Sequence, residues 1–335
     1  MNRFTYIRPK SLEDTFEYLN PTWGETYILA GGTDLLPLIK ADLISPKYVV
    51  SLQSIPEMDT ITYLPGKGLR IGMQTKLSAL VENPIIKEKY SALVQAAAST
   101  GTPQLRNMGT IGGNLLHRPK CIYFRGGFDC LLSHNNGNCS AADGQNYQHC
   151  IFGDCQCCAV HPSDTAVALQ ALGASVSIVG RKSQRTVALK DFFTLPQRNR
   201  PQENILNADE LITEISVPDI SAKTKQIFVK VKEHGSWDSA LASIAMVIVP
   251  DTTMIEYASV VLGGVAPIPW RSESVEFTVI GTDINPIIAT KAGDAAIEGA
   301  KPLRYNTYKI DLVKNLVTQT LLELAQPTDG KTVIA

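Results

Sequence analysis

The chain has 335 residues, 44% of them hydrophobic and 19% charged, with a formal net charge of −1, so it holds enough apolar sequence to bury more than one core. A near-neutral balance without a long basic run lacks the electrostatic footprint of nucleic-acid binding. The longest apolar run, Ala240 to Pro250, is about half of the roughly 20 residues needed to cross a bilayer, so it predicts a buried core segment rather than a membrane span.

At the N-terminus, MNRFTYIRPKSLEDTF places acidic and polar residues where a signal peptide needs its hydrophobic region. The expectation is a cytoplasmic protein, or a periplasmic one exported with a signal-bearing partner. Phe4 to Ile7 reads as a short strand, and Ser11 as the N-cap of an amphipathic helix that ends before Asn20-Pro21. Tyr27-Ile28-Leu29 then reads as a strand running into Ala30-Gly31-Gly32-Thr33-Asp34-Leu35, a tight glycine turn and helix start. Glycine lets such a backbone approach a ligand closely, and free N–H groups there suit a phosphate. The turn matches neither GxGxxG nor GxxxxGK[ST], so on its own it is equally an ordinary strand-to-helix connection.

Lys47 to Leu52 and Gly68 to Gly72 read as strands, followed by a helix from about Lys76 to Asn83 and a second through Ile85 to Ser99. A second glycine-rich turn, Gly109-Thr110-Ile111-Gly112-Gly113-Asn114, comes about 75 residues after the first. Two such turns could hold the two phosphates of one dinucleotide. Asp164 to Leu172 has helical apolar spacing, and Ala174 to Val179 alternates as a strand. A composition change at Gly180 to Lys182 marks a domain boundary. Strands near Glu214–Val217, Gln226–Val231, Ala242–Val249 and Ser259–Gly263, then helices at Ile287–Glu298 and Tyr308–Leu324, make the remainder an α+β domain without internal repeats.

All seven cysteines (Cys121, Cys130, Cys139, Cys150, Cys155, Cys157 and Cys158) lie between the second glycine turn and His161-Pro162-Ser163-Asp164, with His117, His134, His149 and His161 in the same stretch. An odd number of clustered thiols fits a disulfide framework badly and points to metal or redox chemistry. Thiolates suit iron–sulfur clusters or zinc. Only Cys155 and Cys158 make a CxxC, and spread-out ligands wrap a cluster more naturally than one ion; zinc and unliganded thiols stay open. Surplus cysteines behave as small hydrophobes, and the histidines read as hydrogen-bonded surface or packing residues.

Ala30-Gly31-Gly32-Thr33-Asp34, Gly109-Thr110-Ile111-Gly112-Gly113-Asn114 and Pro162-Ser163-Asp164, with Leu262-Gly263-Gly264-Val265-Ala266 and Pro269-Trp270-Arg271, resemble the FAD-binding medium subunit of the molybdenum hydroxylases. The cysteine segment resembles the subgroup with an additional 4Fe–4S cluster, such as bacterial periplasmic aldehyde oxidoreductase. The resemblance implies an α+β fold: a two-part FAD-binding domain of the vanillyl-alcohol-oxidase/PCMH type over 1–179, split near 55 and holding a 4Fe–4S insertion at 118–160. A CO-dehydrogenase-flavoprotein C-terminal domain over 180–328 and a tail at 329–335 would follow.

By the same resemblance Ile28, Leu29, Ala30, Gly31, Gly32, Thr33, Asp34 and Leu35 would cradle the FAD pyrophosphate, with Thr110, Gly113 and Asn114 as the second turn. Asp164 would bond the ribose or adenosine end, and Thr100, Ile212 and Lys230 would stand near flavin or adenine. A solvated strand charge is the plain alternative for Lys230, and core packing the alternative to flavin stacking for Trp237. The cluster would be held by Cys121, Cys130, Cys139 and Cys157, with Cys155 and Cys158 close enough to compete for the last place. The implied role is electron transfer within an aldehyde- or N-heterocycle-oxidising complex. A large molybdopterin subunit, a small 2Fe–2S subunit and an external acceptor would be its partners. A stand-alone FAD oxidoreductase and a zinc-binding assembly module are the rival readings.

Overall fold

The computed structural model describes every residue except 134–136, 155, 236, 252–253 and 327–335. It opens with a small α/β unit: β1 (Thr5–Ile7), α1 (Leu12–Phe16), β2 (Thr26–Leu29), α2 (Leu35–Lys40) and β3 (Tyr48–Ser51), the strands running parallel in the order β1-β3-β2. Ser11 caps α1 as expected, its hydroxyl accepting from Asp14 N at 3.0 Å.

A second body follows with β4 (Ile61–Leu64), β5 (Gly68–Gly72), α3 (Leu77–Glu82), α4 (Pro84–Lys89), α5 (Ser91–Ser99), α6 (Pro103–Met108), α7 (Ile111–Leu115), α8 (Ile122–Arg125), α9 (Asp164–Ala171), β6 (Ser175–Gly180), β7 (Gln184–Ala188), α10 (Leu189–Phe192) and β8 (Glu210–Val217). The helix expected through Ile85–Ser99 is two helices. They part at Tyr90, whose backbone leaves helical geometry (φ −125, ψ 53) while its hydroxyl donates to Pro218 O at 3.0 Å.

The strands of this body form one antiparallel sheet ordered β4-β5-β8-β6-β7. The domain boundary expected at 179/180 therefore falls inside a hairpin: β7 and β8 belong to the same sheet as β6, and the layer changes only after Val217. The charged Arg181-Lys182 pair that suggested a boundary is simply the exposed turn between β6 and β7.

The C-terminal body contains β9 (Lys225–Val231), β10 (Ala242–Asp251), β11 (Met254–Gly263), β12 (Trp270–Arg271), α11 (Glu273–Val279), α12 (Pro286–Ala295) and α13 (Tyr308–Ala325), with an antiparallel sheet ordered β12-β11-β10-β9. The apolar run of the sequence is β10, and its two faces enter different cores. Ala245 and Val247 join the cluster of the second body, while Ile244, Met246 and Ile248 pack with α11–α13 residues such as Val275, Ala292 and Val317. A strand covered on both faces needs no polar alternation, which explains the continuous hydrophobic pattern. What covers the first face includes α9, in which every residue from Asp164 to Ala171 is buried.

Candidate functional site

The two glycine turns touch. A β-carbon on Gly31 would stand 2.1 Å from Met108 O and 2.9 Å from Gly109 Cα, so the backbones meet where no side chain fits. Gly32 sits at φ +74, a left-handed conformation that suits glycine. A β-carbon on Gly113 would meet only Thr110 Oγ1 at 3.2 Å and Ala30 Cβ at 3.8 Å, leaving the space in front of the second turn largely free. Thr110 shapes that turn by accepting from Gly113 N at 3.1 Å. This cradle of bare backbone is what a diphosphate requires, and FAD fits it.

Asn114 does different work. Its Oδ1 accepts from Ser163 Oγ at 2.7 Å and from Thr165 Oγ1 at 2.6 Å, tying the second turn to the start of α9. There Asp164, 4% exposed, lies 2.7 Å from Lys230 Nζ of β9 and accepts weakly from Thr100 Oγ1 at 3.4 Å. Thr100, Asp164 and Lys230 thus converge, and Lys230 is a buried partner rather than a solvated strand charge. Burial raises the Asp164 carboxyl above its ordinary range, opposed by Lys230 and by nearby Lys120.

Asp34 is placed differently from the expectation for a phosphate turn. Its carboxylate receives Arg125 Nη2 at 2.8 Å and Arg118 N at 3.2 Å, with His117 Nε2 at 3.4 Å. Its side chain anchors the segment leading into the cysteines. Ile212 is 4% exposed in the main core and reaches the turns only through backbone: Met73 N donates to Thr213 O, and Gly112 N to Met73 O. Ile28, Leu29, Ala30, Thr33 and Leu35 surround the first turn but make no polar contact with the Asp164 group. Trp237 is 57% exposed, neither core-packed nor enclosed, with Lys120 Nζ 5.8 Å from its ring centroid.

Arg118, Lys120 and Arg125 were given no role from the sequence, and His117 was read only as a hydrogen-bonded surface or packing residue, although His117-Arg118-Pro119-Lys120 directly after a glycine turn was a visible signal. Arg118, Lys120 and Arg125 make the surroundings of the turns cationic, whereas burial lowers His117 to about 4. Lys120 is itself depressed, mainly by burial and then by Lys230.

The cysteines fall into two adjoining pockets. Cys130 and Cys157 pack with Leu38, Phe124 and Leu131, and Cys121 borders this group. Cys150 and Cys158 pack with Ala141, and Cys139 borders that one. Contacts across the boundary are Cys121 Sγ to His149 Nε2 at 3.2 Å and, within the second pocket, Cys158 N to Cys139 Sγ at 3.4 Å. Hydrogen bonds from the Cys139 and Cys150 thiols pull Cys158 down to about 3, while its bond to Cys158 pushes Cys139 up. Buried soft donors fit an iron–sulfur cluster chemically. Among the described residues, however, no three His, Cys, Asp or Glu side chains converge closely enough to hold a metal ion. Cys155 and His134 lie outside the described residues.

Between the cysteine segment, the start of α9 and the ends of β10 and β11 is a cavity of about 240 Å³, bordered by Lys120, His149, Asp164, Ser243 and Gly264 among others. His149 and His161 are buried, not surface, residues; burial lowers His161 to about 3.

Residues 2–220 match the family described as the FAD binding domain in molybdopterin dehydrogenase, and residues 227–324 the CO dehydrogenase flavoprotein C-terminal domain. The chain is 32% identical to the aldehyde oxidoreductase FAD-binding subunit PaoB of Escherichia coli, over 96% of this chain and 98% of that protein. It is 29% identical to the glyceraldehyde dehydrogenase medium chain of Sulfolobus acidocaldarius, over 96% and 98%. It superposes on a solved carbon monoxide dehydrogenase from Hydrogenophaga pseudoflava lacking the Mo-pyranopterin moiety with TM-score 0.77 and 26% identity, covering 96% of this chain and 97% of that one. With two family matches in succession, the fold they imply, and two apposed glycine turns of the kind a dinucleotide needs, the chain belongs to the FAD-binding medium subunits of the molybdenum hydroxylase family.

Proposed function

We propose that this chain is the flavin-bearing electron-transfer subunit of a complex that oxidises aldehydes. It would receive electrons from the 2Fe–2S clusters of a small partner subunit, ultimately from a large molybdopterin subunit, and pass them to an external acceptor. The observation that carries the reading is the backbone contact between Gly31 and Met108–Gly109, which puts two ligand-accessible turns side by side. The aldehyde class is supported by relatives named for aldehyde and glyceraldehyde oxidation; N-heterocycles are the second class.

When bound, FAD supplies reversible one- and two-electron redox chemistry that the protein only positions and tunes. The turns at 30–34 and 110–114 would grip the diphosphate through backbone N–H groups. Thr100, Asp164 and Lys230 would orient the nucleotide, Lys230 keeping the carboxylate compensated in a buried setting. Asn114 holds the second turn against α9, which fixes Asp164 relative to the diphosphate site. A 4Fe–4S cluster on Cys121, Cys130, Cys139 and Cys157 is the proposed second cofactor, supported by donor type and order along the chain. Residence in the cytoplasm, or in the periplasm by co-export, is part of the same proposal, and fractionation of the native host tests it.

The test is anaerobic purification from the native host. The expected product is brown-yellow, releases FAD on denaturation, contains iron, co-purifies with molybdenum, and oxidises aldehydes only while assembled. Turnover by the isolated chain would favour a stand-alone oxidoreductase; a colourless zinc-containing product would end the reading.

A further inference from the structure

The cavity of about 240 Å³ adjoins the second glycine turn through Ser163, which borders it and donates from Oγ to Asn114 Oδ1 at 2.7 Å. Asp164, also on its border, carries the ion pair with Lys230. At about 30 Å³ per water the space suits several waters or one flat ring system, and it falls short of the ~300 Å³ that a complete drug-sized ligand needs. A ligand whose diphosphate rests on the glycine turns therefore meets this cavity with one of its ends.

Two buried groups on the cavity border are incomplete. Ser243 of β10 stands opposite both Lys230 of β9 and Gly263 of β11, so the three make one row across the C-terminal sheet. By strand alternation Ser243 shares a face with Ala245 and Val247, which enter the core of the second body. It is a polar residue in an apolar series, 1% exposed, and its Oγ has no hydrogen-bond partner among the described residues. A β-carbon on Gly263 would run into Ser243 Oγ and Val167 Cγ2, so glycine there keeps the hydroxyl from being covered. His149, in the cysteine segment, is 5% exposed; its Nε2 lies 3.2 Å from Cys121 Sγ, while Nδ1 is buried without a partner among the described residues. Whichever tautomer the ring adopts, one hydrogen-bonding position is left over. Each such group costs stability in the free protein, and two on the border of one cavity point to a ligand that completes them.

The surrounding wall is held in advance. Lys309 Nζ, fully buried near the start of α13, donates to Gln148 O at 3.1 Å and to Gly264 O at 2.7 Å. Asn306 Nδ2 donates to His149 O and Cys150 O, both at 3.0 Å. These bonds fix the cysteine segment against the end of β11, which lowers the ordering cost of binding.

Resting on the FAD reading, we propose that Ser243 Oγ and His149 Nδ1 hydrogen-bond the flavin ring of FAD across this cavity, one from the C-terminal sheet and one from the cysteine segment. The isoalloxazine ring carries carbonyl and ring-nitrogen groups along one edge, which match a hydroxyl and an imidazole nitrogen. Lys120, also on the border, supplies a cation, which favours a ring that gains electrons over adenine, which gains none. Both residues bind and orient, and no bond to the protein is made or broken.

The experiment uses the full chain as wild type, Ser243→Ala and His149→Gln, the glutamine keeping a polar group toward Cys121 while losing Nδ1. Each protein is freed of FAD in chaotropic salt and titrated with FAD by flavin fluorescence. ADP, which has the adenosine and diphosphate but no flavin, is then used as competitor. The expected result is FAD affinity about tenfold lower in each variant, with ADP affinity close to wild type and the visible band of bound FAD shifted. FAD-free Ser243→Ala should melt at or above the wild-type temperature, because an unpaired buried hydroxyl is gone. FAD affinity equal to wild type in either variant overturns the proposal. Equal losses of FAD and ADP affinity place the adenine end in the cavity and also overturn it, as does a lower melting temperature of FAD-free Ser243→Ala, the mark of a packing role. A wild-type chain that rebinds no FAD overturns the FAD reading and this proposal together.

Discussion

Lys230 Nζ lies 2.7 Å from Asp164 Oδ2 with each side chain 5% exposed, so one buried ion pair joins the C-terminal sheet to the helix that follows the cysteine segment. Lys230 also donates to Ser99 O at 3.3 Å, and Thr100 Oγ1 stands 3.4 Å from the same carboxylate oxygen. Three elements of two bodies are therefore fixed around one carboxylate.

Removing the cation alone leaves that carboxylate uncompensated. Lys230→Met is expected to destabilise the chain by roughly 3–5 kcal/mol, whereas the double variant Lys230→Met/Asp164→Leu recovers much of the loss because no isolated buried charge remains. Urea unfolding of the FAD-free chain measures this. Equal midpoints for wild type and Lys230→Met would show that the pair contributes nothing.

Gly31 is the residue where the two turns meet, so even one methyl group there must push them apart. Gly31→Ala is expected to weaken FAD retention by at least about tenfold, as expected when a positioning contact worth about 1.4 kcal/mol or more is lost. Gly66→Ala, where an added β-carbon meets nothing within 4 Å although φ is +76, controls for glycine replacement in a strained turn away from the site. Flavin fluorescence released from the gel-filtered proteins gives the comparison, and full occupancy in Gly31→Ala would rule the turn out as part of the site.

Asn114 accepts two hydroxyl hydrogen bonds from residues flanking Asp164. Asn114→Ala strands the Thr165 hydroxyl, which keeps only a 3.3 Å contact to Ser163 Oγ, in a fully buried position. The expected cost is about 1–3 kcal/mol for a buried polar group left short of partners. FAD affinity should fall as well, since the second turn is no longer tied to α9. A melting temperature unchanged within error would contradict this account.

His161 predicts a pH response. Its ordinary value of 6.5 is lowered by burial to about 3, with the His117 charge adding to the effect, so the folded state holds it neutral where the unfolded chain would protonate it. A depressed folded value means its stabilising contribution is present above about pH 6.5 and is lost as pH falls toward 3. The loss is about 1.4 kcal/mol per pH unit within that window. His117, lowered to about 4 mainly by burial, titrates over part of the same range. His161→Gln should therefore flatten, without abolishing, the decline of unfolding free energy between pH 6 and pH 4; an unchanged slope would exclude His161 as a contributor.

The thiols separate into two groups in the proposed cluster. Serine at Cys121, Cys130, Cys139 or Cys157 is expected to abolish or halve iron content, while Cys150→Ser keeps it. Colorimetric iron analysis on anaerobically purified variants decides the assignment. Iron retained in Cys157→Ser but lost in Cys158→Ser would move the fourth ligand by one residue, to the thiol that already bonds Cys139.

Much of the molecule was legible from residues alone because local chemistry specifies it: Ser11 caps its helix, and the glycine turns and thiols stand at readable places in the chain. Strands β4 and β7 and helices α6 and α11 were not read, being short segments whose exposed positions blur the periodicity, and the 180 boundary was misplaced because a charged hairpin turn looks like a linker. The sequence also could not tell that Asp34 serves Arg118 and Arg125, or that Lys230 and Lys309 are buried cations, since a lysine on a strand or helix carries no mark of what packs above it. Those facts depend on residues 66 and 161 positions apart meeting across bodies. Spacing along a chain determines which backbone turns and donor atoms exist; only the packing of separate layers determines which charges are left to compensate one another.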